Sequence, residues 1–157
     1  MKTLIPPSEV LLRAFRNRER LPVDTVTEAD ILTVESRYIR PVLGEGLYAR
    51  LLAGGDNAFI EAYLADAVAL LTRYLLLPRL LSFCSPMGLF RPDPSNTSPL
   101  DAATLEGERK ALKQEAMTLL RRATDYLEQH AEEFTAYDPK NNILNRCMTH
   151  GGFVQTF

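Results

Sequence analysis

Apolar residues recur at three- and four-residue steps along most of this chain, the period of helices that bury one face. Ser8 is a candidate cap for a short helix over Glu9–Arg16, with Val10, Leu11 and Phe15 on one side and Pro22 closing the segment. Thr27, with Asp30 three residues on, opens a helix predicted over Glu28–Arg40, its stripe made of Ile31, Val34, Tyr38 and Ile39. Pro41 disfavours helical backbone at Arg40 and predicts a break there. Val42, Leu43, Leu47, Leu51 and Leu52 then make a second short helix, ended by Gly54 and Gly55. Gly44 and Gly46 mark a tight approach between the two helices.

Asp56 is the expected N-cap of a third helix. Phe59, Ile60, Tyr63, Leu64, Val68, Leu71, Tyr74, Leu75 and Leu77 form its stripe, which Leu70, Leu76, Leu80 and Leu81 widen until much of the circumference is apolar. Pro78 should kink or end it about one turn before Cys84. Residues 85–100 carry four prolines and read as an extended loop, with Met87, Leu89 and Phe90 as an apolar patch. Ser98, Pro99 and Asp101 signal the start of a last helix. Its stripe (Leu105, Leu112, Ala116, Leu119, Ala123, Tyr126, His130) continues to Phe134, predicting about 36 residues and about 54 Å. Such a helix should pack antiparallel on the preceding one and extend past it. Gly151-Gly152 then precedes Phe153, Val154 and Phe157, a short strand or arm. The fold class expected is all-α: an antiparallel long-helix hairpin with shorter N-terminal helices across it, in one domain over 1–157.

The chain has 157 residues, 46% of them hydrophobic and 24% charged, with a formal net charge of -2. That balance argues against a global electrostatic grip on nucleic acid. No apolar run reaches the ~20 residues of a membrane span. Two cysteines do not make a disulfide framework, so a cytoplasmic setting in the host cell is expected. Cys147-x-x-His150 has the spacing of two zinc ligands, but a closed site needs four and only Cys84 and His130 remain. No cofactor or metal is expected. His130, on the apolar stripe, reads as a helix-packing histidine bonded to backbone rather than a base. Glu28 with Asp30, and Glu132 with Glu133, read as helix-end and solvated carboxylates. No catalytic set is expected.

Arg13, Arg16, Arg18 and Arg20 form the main local charge feature. It suits either phosphates or the acidic face of another copy. Residues 1–22 hold five basic and two acidic side chains, while residues 101–133 hold eight acidic and five basic. The candidate interface residues are therefore Arg13, Arg16, Arg18, Arg20, Met87, Leu89, Phe90, Phe153, Val154 and Phe157.

The stretch ESRYIRPVLGEGLYARLLAGG at 35–55 resembles a pattern in an uncharacterised family of small helical proteins from Bacteroidetes genomes and prophages. LSFCSPMGLFRPDPSNTSPLDAATLEGER, through Leu81, Ser82, Ser85, Gly88 and Leu89, looks like that family's second signature. The order of elements is also similar to the head–tail connector (adaptor) proteins of long-tailed phages. The resemblance implies a non-enzymatic assembly subunit of a phage or prophage particle. Its partners would be itself, in a ring or other homo-oligomer, and portal or tail proteins, with the virion as a second location. It transfers no catalytic or ligand residue. The alternative is a regulatory or nucleic-acid-binding helical module that uses the arginine cluster.

Overall fold

A computed structural model describes residues 2–15, 21–80, 83–85, 88–90, 102–145, 147–150 and 153–156. The fold is all-α, with two short β-hairpins. Helix α1 (Pro7–Ala14) begins on Pro7, with Pro6 in the N-cap position. Ser8 therefore lies inside the first turn and is not the expected cap. Proline suits that site because its fixed φ is helical and its missing N–H would have had no partner.

Helix α2 (Glu28–Val34) carries the full reciprocal cap: Thr27 Oγ1 accepts from Asp30 N–H, and Asp30 Oδ2 accepts from Thr27 N–H. The break expected before Pro41 does not occur. The chain widens into a π turn, Glu35–Ile39, and continues as α3 (Arg40–Leu43). Arg40 N–H there reaches back five residues to the Glu35 carbonyl. The wider turn moves aside the carbonyl that a proline ring would strike and absorbs the donor it lacks. The helix stops instead at Gly44, whose φ of 79° few other residues adopt.

Helix α4 (Glu45–Leu52) ends on two bonds, Gly55 N–H to the Arg50 carbonyl and Gly54 N–H to the Leu51 carbonyl. This is the glycine cap the sequence predicts. Asp56 departs from expectation. It sits at the N-cap position in left-handed backbone, makes no side-chain cap, and pairs with Arg50 at 2.8 Å. Helix α5 (Asn57–Phe59), a second π turn (Ile60–Leu64) and α6 (Ala65–Leu80) then form one long rod that passes through Pro78.

Helix α7 (Ala102–Gln129) has 28 residues, about 42 Å. Arg122 lies over the ring of Tyr63 near the start of that rod, and Arg109 over Tyr74 near its end, so the two run antiparallel. The expected continuation to Phe134 is replaced by a turn. His130 N–H still bonds the Tyr126 carbonyl, and Phe134 then folds back to lie 5.2 Å from the ring of Phe59. Phe134 is buried there, so the turn covers a large apolar side chain.

The core is one cluster. Val10 and Ala14 of α1, Ile31 and Val34 of α2, Leu47 and Leu51 of α4, Leu64, Val68 and Leu71 of the rod, and Leu120, Ala123 and Leu127 of α7 meet in it. Within the segment read as a loop from 85 onward, Gly88–Phe90 (β2) pairs antiparallel with Phe83–Ser85 (β1), so its first part is a hairpin. Strand pairing gives these backbone groups partners that an open loop would leave to water. At the other end Cys147–His150 (β3) pairs with Phe153–Thr156 (β4), the strand the tail suggested. No described helix is long and apolar enough to cross a membrane.

Candidate functional site

Arg13 is the described member of the arginine cluster, and its guanidinium is fully engaged within the chain. One helical turn places it over Glu9, whose Oε1 accepts from Nε at 2.8 Å. Nη1 donates to Asp66 at 2.8 Å, and Nη2 bonds Glu61. The hydrogen bond to Asp66 is the largest influence raising its pKa above the ordinary value. Arg13 thus clamps α1 onto the rod. Arg73 reinforces the same joint: Nη1 donates to the Ala14 carbonyl at 2.6 Å, and the guanidinium lies over Phe15. A groove of about 530 Å³ beside them is lined by Arg13, Arg73, Asp66 and Glu115, two charges of each sign. It favours neither an anion nor a cation.

Among the described residues, one carboxylate is fully buried, and it lies elsewhere. Glu35 is wholly inaccessible to solvent, in the π turn that bypasses Pro41. Its Oε2 accepts from the Tyr48 hydroxyl at 2.7 Å and its Oε1 from Leu4 N–H at 2.7 Å. Desolvation pushes the carboxyl above the usual range, and the two hydrogen bonds pull it partly back. Burial also raises the Tyr48 phenol, with the Glu35 contact adding to it. Three distant segments therefore converge on one side chain: the N-terminal residues, α2 with its π turn, and α4. The arrangement has the pairing of a structural lock. Glu35 is not among the residues the sequence singles out, although it occupies the four-residue step between Ile31 and Ile39 on the apolar stripe.

Aromatic rings join the rod to the end of α7. Tyr63 and Tyr126 stack with centroids 4.4 Å apart, Tyr126 stacks on His130 at 4.1 Å, and Phe59 adjoins both tyrosines. His130 Nδ1–H donates to the Tyr126 carbonyl at 2.9 Å. That is the backbone-bonded packing role expected of it. Beyond the turn, Asn142 is buried, gives a hydrogen bond to the Tyr137 hydroxyl at 2.8 Å, and accepts one from Leu144 N–H at 2.9 Å.

Asp30, paired in the sequence reading with Glu28, holds Arg79 through both carboxylate oxygens at 3.0 Å. Among the described residues, no three His, Cys, Asp or Glu side chains gather as metal ligands would. Cys147 and His150 occupy the two ends of β3. Of the other candidate interface residues, Leu89 and Phe90 belong to β2, and Phe153 and Val154 to β4. Arg16, Arg18, Arg20, Met87 and Phe157 lie outside the described residues.

No curated protein and no solved structure matches the chain. A family model does match, over residues 39–146, which takes in Tyr48, the rod and α7 but begins four residues after Glu35. An uncharacterised family is what the resemblance at 35–55 pointed to. With well over half its length matched, the chain belongs to the family of unknown function DUF6712.

Proposed function

We propose that the protein is a non-enzymatic structural subunit of a phage or prophage particle, akin to a head–tail connector, which works by self-association and by docking to portal or tail proteins. The observation that carries this reading is the N-terminal half of α7. From Ala102 to Glu115 no residue is buried, although the helix continues without interruption into the core at Ala116. Leu105 and Leu112 stay half-exposed on it. A stiff helix anchored at one end and under-covered at the other presents a fixed surface to neighbours, which is how copies are spaced in an assembly.

Supporting this, the internal polar contacts are of a structural kind. The buried Glu35–Tyr48 pair and the Arg13 clamp fix elements to one another. The protein would act in the host cytoplasm and be retained in the virion. Negative-stain images of the concentrated protein, with mass from light scattering, test the reading. Particles of two or more copies are expected, and a single-chain mass at every concentration would overturn self-association.

A further inference from the structure

Along α7, charge is sorted by position. Residues 109–122 carry five basic side chains and one carboxylate, whereas residues 123–138 carry five carboxylates and no lysine or arginine. Lys110, Lys113, Gln114, Met117, Thr118 and Arg121 stand three and four residues apart and line one groove of about 660 Å³. All are exposed except Met117, which is half-buried. The same helical spacing leads on to Asp125 and Glu128, both exposed. Glu128 receives a hydrogen bond from Asn145 on Oε1 at 2.8 Å, which orients its carboxylate. One face of one helix therefore has two lysines at its start and two carboxylates at its end, with Met117 and Arg121 between them.

We propose that this face of α7 is a self-complementary surface that receives the same face of a second copy, laid antiparallel. Antiparallel alignment centred on Leu119 sets Lys110 opposite Glu128 and Lys113 opposite Asp125, twice over by symmetry. Met117 of each copy falls opposite Arg121 of the other beside the two-fold axis, where the thioether packs along the arginine's methylene stem and the guanidinium reaches water. Parallel alignment in register would instead set lysine against lysine. Like patch meeting like patch closes a two-fold pair. The surface rests on the self-association proposed above and names its contact. Exposed charge pairs are screened by salt, so the pair forms at low ionic strength and dissociates as salt rises.

Sedimentation of the full chain at low and high salt tests this with three samples. Wild type is expected to approach twice the single-chain mass at low salt and to return to one copy at high salt. Lys110→Glu with Lys113→Glu makes both ends of the face acidic, and Asp125→Lys with Glu128→Lys makes both ends basic. Each variant alone should stay single, and their equimolar mixture should recover the doubled mass, which also shows that both are folded. If both variants keep the wild-type mass, the pairing is wrong and self-association stands on another surface. A wild type that stays single at low salt overturns the pairing together with the self-association it rests on.

Discussion

At the residue scale, Glu35 shows how a single buried charge fastens a chain to itself. Both its oxygens are engaged, one by Tyr48 and one by the backbone of Leu4. Replacing it with alanine leaves a buried hydroxyl and a part-buried N–H without a partner, at a cost of about 1–3 kcal/mol each. Glutamine is the sharper test, because its oxygen still accepts from Leu4 and its amide can donate to Tyr48. A carboxyl whose folded pKa lies above its unfolded value holds its proton longer when folded. Glu35 therefore lowers stability as pH rises from the ordinary carboxylate range through its own folded pKa. Asp30 works the other way. Desolvation pushes it up, but the bonds from Arg79 and Thr27 outweigh that and lower it, so its contribution is lost as pH falls. Glu35→Gln should match wild type near pH ~4 and gain on it toward pH ~7, as read by urea unfolding at each pH. A difference that does not change with pH would show that Glu35 keeps its ordinary pKa.

At the element scale, helix ends obey local chemistry except where the tertiary fold supplies something better. The Thr27–Asp30 cap and the Gly54–Gly55 stop were legible because each depends on residues within one turn. Pro41 was misread for the opposite reason. Its restriction on Arg40 is real in an ordinary α-helix, but a π turn removes the clash, and no short-range pattern announces a π turn. Gly44 and Gly46 separate the two ways a glycine can matter. Gly44 has φ of 79° with ψ of 159° and open space around any added Cβ, so Gly44→Ala pays only backbone strain, about 1–3 kcal/mol. Gly46 lies inside α4, with the Ala136 carbonyl an ordinary 3.5 Å from an added Cβ. Gly46→Ala should stabilise by about 0.5–1 kcal/mol through helix propensity. Shifts of opposite sign in the urea midpoint check both, and equal shifts would refute the distinction.

At the scale of the whole molecule, the antiparallel seam between the rod and α7 carries the core. Leu120 is fully buried in it. Leu120→Ala should cost about 2–5 kcal/mol in a thermal or chemical melt. Thr118→Ala, two residues away and exposed, should change stability by less than about 0.5 kcal/mol. The sequence by itself determined the all-α class, the caps whose partners are near neighbours, and the pairing of two long apolar stripes, because periodicity and capping are written in short windows. Only the tertiary structure decided that α7 yields to a turn before Phe134, that Arg13 faces inward to Glu61 and Asp66, and that Glu35 meets both Tyr48 and Leu4. Each of those outcomes depends on residues brought together from far along the chain, where burial and charge pairing outweigh local preference.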